Sequence, residues 1–293
     1  MRLFSLTARL PLAALHGMGG AMGWVTYCIS GKYAARMREN IRGYCVMHPE
    51  KDSRRLLNAS IAEAGKGIAE LPWMWWRPLA QVAASVKASE GWDLVEAARA
   101  RGKGLIFLTP HLGCFDVAAL YTAIQMPLTV LYRPPKLSWL EPLMLRGRER
   151  AQLQLARTDL SGVRLLYKAL KRGEAIGLLP DQVPGNGEGE WADFFGRPAY
   201  TMTLAGRLAQ SSGAAVLMAC AQRLPRGRGY VIHLVPMEFV PDLPVARQLN
   251  AALEQMISLC PEQYLWSYNR YKTPAGITPP QSRTGTGQQI GAA

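Results

Sequence analysis

The sequence is poor in cysteine and contains no CxxC pair. Its 293 residues include only five cysteines, Cys28, Cys45, Cys114, Cys220 and Cys260. An odd number at wide spacing is neither a disulfide framework nor a zinc-ligand pattern. We therefore expect free thiols, a body that faces a reducing compartment, and no metal site.

Acidic residues are also scarce, with 21 Asp and Glu against 34 Lys and Arg, so the formal charge is +13 at pH 7. Such a surplus attracts acidic partners and speeds encounter with them. Nucleic acid, an anionic lipid surface and an acidic protein all remain open. The surplus is centred on residues 131–172, which contain ten basic residues and only three acidic ones. A solvated helix face is the alternative explanation.

The segment from Leu10 to Ser30 lacks any formal charge over 21 residues, and basic residues flank it on both sides. Its length suffices to cross a bilayer core, although Pro11 and several glycines weaken its apolar character. We predict a membrane-anchor helix within residues 1–30, either spanning or interfacial. A buried helix and a cleaved signal peptide are the alternatives.

Two further clusters bear on this prediction. No strand precedes the run GMGGAMG at residues 17–23, which argues against a dinucleotide-binding loop. Gly19 and Gly23 instead form a GxxxG pair, which permits close helix packing. The run LPWMWWRP at residues 71–78 contains three tryptophans, which favour a bilayer interface. Ordinary core packing of two of the rings is an equal alternative.

The remaining chain alternates short apolar runs with helix-like stretches, and 49% of all residues are hydrophobic. This is enough for a sizeable core in one large domain or two small ones. We predict strands at Gly104–Thr109, Leu128–Tyr132, Ala175–Leu179, Ala214–Ala221 and Tyr230–Leu234. We predict helices at Phe115–Ile124, Val163–Lys171, Thr201–Ser211 and Val245–Leu259.

This alternation predicts an α/β sandwich in which helices flank a mainly parallel sheet. Residues 31–272 would form one domain, with a helical lead-in over residues 31–100 and the α/β core over residues 101–272. Residues 273–293 are polar and rich in proline and glycine, so we expect a disordered tail.

The stretch FLTPHLGCFDVAALY, residues 107–121, places His111 and Asp116 after an apolar run. Five positions correspond to about 140° around a helix, so the pair converges only if His111 lies on the turn before the helix. Ligands bind at such strand ends in open α/β sheets. A neutral imidazole can take a proton from a hydroxyl while a carboxylate fixes its tautomer. By spacing alone, turn and helix capping is the commoner explanation.

Polar residues follow other predicted strands, and Cys114 lies inside the His111 stretch. At a shared sheet edge, Arg133 and Arg164 would hold anionic groups, while Asp181 and Gln182 would bind hydroxyls or orient arginines. Taken singly, each is more often structural. A Cys114–His111 nucleophile is the rival chemistry, but free cysteine is commonly a small buried hydrophobe.

Five motifs in order then carry a family resemblance. They are HX4D at His111–Asp116, YRP at 132–134, LLPDQ at 178–182, FFGRPAYT at 194–201 and PEQYLWSYNRYKT at 261–273. Over roughly residues 5–275 the sequence resembles the late acyltransferases of lipid A biosynthesis. These are lauroyl and myristoyl transferases of the lysophospholipid acyltransferase superfamily.

The resemblance implies a glycerolipid-acyltransferase-like sandwich in an enzyme of the cell inner membrane, with an N-terminal anchor and the catalytic domain facing the cytoplasm. It implies acyl transfer from acyl carrier protein to a hydroxyl of a lipid A precursor, without cofactor, metal or covalent intermediate. His111 would be the general base and Asp116 its orienting partner. The implied binding residues are Tyr132, Arg133, Arg164, Asp181, Gln182, Phe195, Gly196 and Thr201.

Two departures from the family pattern bear on the acceptor. Many members of this branch carry Glu where this chain has Asp116, and the FPEG block of glycerolipid acyltransferases is absent, which disfavours a lysophosphatidate acceptor.

Other lipid acceptors, such as another lysophospholipid, an ornithine-type aminolipid or another glycolipid, are the first alternative. The second is a non-enzymatic basic protein that binds membranes or nucleic acid. Nucleic acid is disfavoured because the tryptophan cluster at residues 71–78 precedes the basic stretch instead of interleaving with it. Acyl carrier protein is acidic, so residues 131–172 are its expected docking site.

Overall fold

The structure is a computed structural model that describes residues 7–135, 137–185 and 187–280. Its α-helices are α1 (Leu12–Ile29), α2 (Gly31–Met47), α3 (Ser53–Ala69), α4 (Leu71–Trp76), α5 (Leu79–Ser85), α6 (Trp92–Ala100), α7 (Phe115–Gln125), α8 (Glu141–Arg148), α9 (Leu160–Lys171), α10 (Leu204–Ser212) and α11 (Val245–Leu259). Its strands are β1 (Val86–Glu90), β2 (Leu105–Leu108), β3 (Leu128–Tyr132), β4 (Leu153–Arg157), β5 (Ala175–Leu178), β6 (Gly189–Phe194), β7 (Arg197–Met202), β8 (Ala215–Arg223) and β9 (Tyr230–Met237). Short 3-10 turns lie at Ser138–Leu140, Pro225–Gly227 and Pro261–Gln263.

Seven of the described strands form one sheet in the order β1-β9-β8-β2-β5-β3-β4. All neighbouring pairs in this sheet are parallel except β8 and β9, which are antiparallel. Strands β6 and β7 form a separate antiparallel hairpin. The prediction of an α/β sandwich with a mainly parallel sheet is therefore confirmed.

Side chains of β2 alternate between two buried faces, as the two-residue period of a strand requires. Ile106 and Leu108 pack in one core with residues of α2, α3, α9, α10 and α11. Leu105 and Phe107 pack in a second core with residues of α1 and of α4 to α8. Helices thus cover both faces of the sheet, which explains why its inner strands read as continuous apolar runs.

Strands β1 and β4 and the β6–β7 hairpin did not follow from the sequence. The strand β1 is a half-exposed edge strand inside the predicted helical lead-in, and β4 lies inside the basic stretch. Neither has a continuous apolar run, so neither gives a strong strand signal. Thr201 was predicted to begin a helix, but it lies in β7, and α10 begins at Leu204.

Helix α1 packs along α3 through glycine. A Cβ atom on Gly19 would lie 2.7 Å from the Cα of Lys66, and one on Gly23 would overlap the carbonyl oxygen of Ile61. Across the contact, Gly65 meets the backbone of Gly19. The GxxxG pair therefore does permit close packing, and its partner is another helix of the same chain.

The two membrane clues have different outcomes. In the part of the chain that the structure describes, we find no helix that combines the length and the apolar character needed for a bilayer span. Residues 1–6 lie outside that part, and the anchor stays a prediction. In the tryptophan run, Trp73 and Trp75 are buried in the core, so core packing is correct for these two rings.

Of the predicted tail, residues 273–280 form turns and irregular chain, and residues 281–293 lie outside the described residues.

The α1–α3 contact gives the first prediction. Gly23→Ala should lower the free energy of unfolding by about 1–3 kcal/mol, because the added methyl group forces two backbones apart. Gly17→Ala is the matched control, since no atom lies within 4 Å of its Cβ position. That change should be neutral or should stabilise by up to about 1 kcal/mol through helix propensity. Urea denaturation measures both, and equal effects would contradict the packing assignment.

Candidate active site

A cavity of about 290 Å³ opens at the carboxyl edge of the parallel strands. Its interior runs between α7 and the strands β3 and β4 as far as Leu128 and Leu153, which are the first residues of those strands. The five residues of β3 set its depth at roughly 13 Å. The deep wall is apolar apart from Thr122. The polar lining residues nearer the mouth are Thr109, His111, Asp116, Tyr132, Arg133, Arg148, Thr158 and Gln182.

His111 lies on the turn between β2 and α7, and its ring contacts the buried carboxylate of Asp181. The His111 Nδ1 atom lies 2.8 Å from Asp181 Oδ1, and the His111 backbone N–H donates to Oδ2 at 3.0 Å. Leu108 pairs with Leu178 in the sheet, and His111 and Asp181 each lie three residues beyond that pair. Parallel register therefore brings the two side chains together.

The protonation of this pair follows from its surroundings. Burial is the largest influence on the pKa of Asp181 and raises it, but attraction to His111 and hydrogen bonds from its ring and backbone hold that pKa below its ordinary value. An ionised carboxylate can only accept hydrogen bonds, so the ring donates from Nδ1. In the neutral His111 ring, Nε2 then carries the lone pair and accepts from the side-chain amide of Gln182 at 3.2 Å. This is the tautomer that a general base requires.

Asp116 contacts Arg148 instead of His111. Arg148 Nη2 donates to Asp116 Oδ2 at 3.1 Å, and Arg148 Nε lies 2.6 Å from Oδ1. The guanidinium also lies 5.8 Å from the ring centres of Trp75 and Phe115. The expectation that Asp116 orients the His111 ring is therefore not met, because Asp181 occupies that position. Asp116 instead orients a second cavity residue, Arg148, which the sequence showed only as one of many basic residues.

The other predicted binding residues divide into two groups. Tyr132, Arg133 and Gln182 line the cavity, and the Tyr132 hydroxyl donates to Glu141 at 2.9 Å. Arg164 is exposed on α9 and is not part of the lining. The predicted edge cluster therefore forms without Arg164.

Phe195, Gly196 and Thr201 also lie outside the cavity lining. Phe195 and Gly196 form the two-residue turn of the β6–β7 hairpin, with φ angles of 46° and 70°, and Phe195 packs against Tyr44. The Thr201 hydroxyl is fully buried and accepts from Arg270 at 2.6 Å. The motif that predicted substrate contacts at these three positions thus builds a hairpin, and their predicted role has no support from their placement.

Cys114 lies beneath the turn as a buried side chain. Its backbone N–H donates to Ala221, and burial raises the pKa of its thiol well above the ordinary value. A thiol that stays protonated is a poor nucleophile. The geometry therefore agrees with packing and disfavours the rival Cys114–His111 chemistry.

A buried ion pair behind the turn did not follow from the sequence. Arg223 donates to Glu70 through Nε at 2.8 Å and to the carbonyl oxygen of Gly113 through Nη2 at 2.8 Å. The Tyr230 hydroxyl donates to Glu70 at 2.9 Å, and His16 Nε2 of α1 lies 3.1 Å from the same carboxylate. No spacing signal connects Glu70 with an arginine 153 positions later.

Backbone contacts fix the same turn from the other side. The Gly113 N–H donates to Gln263 at 3.1 Å, and the Leu265 N–H donates to His111 at 3.1 Å. Gly113 has a φ of 61°, and a Cβ atom there would overlap the backbone of Ala221. Only glycine fits this position, and the turn that carries His111 has little freedom to move.

Comparison with known proteins identifies relatives along nearly the whole chain. The family described as bacterial lipid A biosynthesis acyltransferase matches residues 2–273. The lipid A biosynthesis lauroyltransferase of Escherichia coli K12 is 27% identical over 282 residues, which cover 93% of this chain and 90% of that protein. The palmitoleoyltransferase of the same strain is 27% identical over 277 residues, or 92% and 89% of the two chains. A lipid A biosynthesis acyltransferase of Haemophilus influenzae is 26% identical over 281 residues, or 92% and 85%.

The buried ion pair gives the second prediction. Burial is the largest influence on the Glu70 carboxyl and raises its pKa, but Arg223 and His16 lower it from 4.5 to about 2. A carboxyl with a depressed folded-state pKa contributes stability above its unfolded pKa and loses it as the pH falls through the folded value. We therefore expect the free energy of unfolding to fall between about pH 4.5 and pH 2, the two values for Glu70.

Glu70→Gln should remove much of this acid dependence. At pH 7 it should also cost about 3–5 kcal/mol, because Arg223 loses its nearest buried counter-charge and keeps only the more distant Glu63, at 3.6 Å. Glu90→Gln is the matched control, because Glu90 pairs with His233 and its side chain is 66% exposed. The control should cost less than about 1 kcal/mol. Urea denaturation at several pH values tests both, and wild-type stability of Glu70→Gln would contradict the assignment.

Proposed function

The chain belongs to the bacterial lipid A biosynthesis acyltransferases and is an acyltransferase, and from this premise we propose that it transfers a fatty acyl chain from acyl carrier protein to a hydroxyl of a lipid A precursor. The observation that carries the proposal is His111 at the mouth of an apolar cavity, with Nδ1 bonded to Asp181 and Nε2 in contact with the Gln182 amide. The acceptor hydroxyl would replace that amide on Nε2. We further propose that the enzyme acts at the cytoplasmic face of the inner membrane.

The apolar depth of the cavity suits the acyl chain of the donor. Leu128, Val130, Leu153 and Leu155 line its deep wall. Each buried methylene group contributes about 0.8 kcal/mol, so the wall favours a long alkyl chain over water. With the chain inserted, the thioester carbonyl reaches the polar mouth, where His111 lies.

His111 acts as general base and then as general acid. Its Nε2 atom removes the proton of the acceptor hydroxyl while the hydroxyl oxygen forms a bond to the thioester carbon. When the tetrahedral intermediate collapses, the C–S bond breaks and the thiolate takes the proton back from Nε2. Asp181 stabilises the imidazolium between the two steps. Such a base contributes about 10²–10⁴-fold in rate.

The arginines at the cavity mouth would stabilise or bind negatively charged groups. Arg148 is held by Asp116 and lines the cavity together with His111. We therefore assign to Arg148 the stabilisation of the negative charge that develops on the carbonyl oxygen. Arg133 is exposed at the mouth and suits anionic groups of the acceptor. Lys168 and Lys171 are exposed further along α9, outside the cavity, where they suit docking of an acidic carrier protein.

The direct test is mass spectrometry of lipid A after expression in a strain that lacks its own late acyltransferases. We expect one additional acyl chain with the wild-type protein and none with His111→Ala. An unchanged lipid A with an altered phospholipid or aminolipid would contradict the proposed acceptor and favour another lipid.

The roles of Asp181 and Asp116 can be distinguished by measuring the transfer rates of single variants and of a double variant. Asp181→Asn should lower the rate by about 10²–10⁴-fold, because the base loses its orienting charge. Asp116→Asn should act through Arg148, so adding Asp116→Asn to Arg148→Gln should cause no further loss beyond Arg148→Gln alone. Multiplicative losses from Asp116 and Arg148 would show that they act separately and would contradict this assignment.

A further inference from the structure

Three large apolar side chains face solvent beside the cavity mouth. The exposed fractions are 57% for Leu137, 64% for Trp139 and 78% for Leu160. Leu137 and Trp139 follow the end of β3, and Leu160 follows the end of β4. These neighbouring parallel strands end together, because Tyr132 pairs with Arg157. The three side chains therefore share one corner of the sheet edge, and we call them the apolar rim.

The rim is held by a carboxylate that bridges the two strands. Glu141, two residues after Trp139, accepts from the Tyr132 hydroxyl at 2.9 Å and from Arg157 at 2.7 Å. The Thr158 N–H also donates to Tyr132 at 2.9 Å. The segment between β3 and α8 is thus attached to the ends of β3 and β4 while its apolar side chains stay exposed.

Exposed cations lie close to the rim residues along the chain. Arg133 and Arg164 are exposed, and the side chain of Arg157 is 56% exposed. Exposed tryptophan and leucine accompanied by arginine match the composition that a bilayer surface favours, where rings and alkyl groups enter the headgroup boundary and cations meet lipid phosphate. Each such cation adds attraction to an anionic leaflet.

We propose that Leu137, Trp139 and Leu160 insert into an anionic phospholipid bilayer and seat the cavity mouth on it. An acceptor lipid then reaches His111 with its acyl chains still in the membrane. The inference rests on the proposed function only in taking the acceptor to be a membrane lipid, since the rim itself is defined without reference to catalysis.

The test uses the full chain and vesicles of phosphatidylethanolamine with phosphatidylglycerol. The variant Leu137→Ser, Trp139→Ser, Leu160→Ser should bind them at least tenfold more weakly than wild type in a flotation assay. Val240→Ser with Leu243→Ser is the matched control, because these side chains are 51% and 55% exposed. They follow β9, which runs antiparallel to β8, and so lie at the opposite sheet edge. The control should bind like wild type.

Vesicle affinity that is unchanged in the rim variant, or lowered equally in the control, would overturn the inference. All substituted side chains are exposed, so equal melting temperatures verify that each variant is folded. In detergent micelles the rim variant should transfer acyl chains at the wild-type rate, and with vesicle-embedded acceptor it should be at least tenfold slower. Flotation needs no turnover, so a wild-type protein that binds through the rim but transfers nothing would contradict the proposed function alone.

Discussion

The contact between Asp181 and His111 is the constraint on which the site depends. A carboxylate with only 2% of its surface exposed is costly unless its oxygens are bonded, and both oxygens of Asp181 face His111. The contact exists because β2 and β5 are adjacent, parallel and in register. Fold, ring orientation and tautomer are therefore consequences of one pairing of strands.

A second buried charge pair extends this constraint to the N-terminal part of the chain. Arg223 bonds both Glu70 and the carbonyl of Gly113, and His16 of α1 contacts the same carboxylate. Helix α1 in turn packs against α3 through glycine. The turn that carries His111 is thus supported by Arg223, Glu70 and His16, which come from distant parts of the chain. Such support suits the proposed base, which would have to hold one geometry through two proton transfers.

Local pattern was enough to predict the turn, the position of His111 on it and most of the inner strands. His111 follows an apolar run and precedes a helix, and both features are readable within fifteen residues. The partner of His111 was not readable in this way, because β3 and β4 separate β2 from β5 in the chain although β2 and β5 are neighbours in the sheet. The pattern offered Asp116, which is near in sequence, whereas strand order placed Asp181 on the ring. The motif around Phe195 predicted substrate contacts, but its residues form a hairpin outside the cavity lining. Here the local pattern was recognised, and what it could not give was the position of the hairpin in the fold.

The central claim is that Asp181 sets His111 as the base, and nitrogen-15 NMR of the histidine ring tests it most directly. The claim predicts that the neutral ring carries its proton on Nδ1 with Nε2 bare, that Asp181→Asn disturbs this tautomer, and that Asp116→Asn leaves it unchanged. A wild-type ring protonated on Nε2, or a tautomer that responds to Asp116→Asn and not to Asp181→Asn, would contradict it.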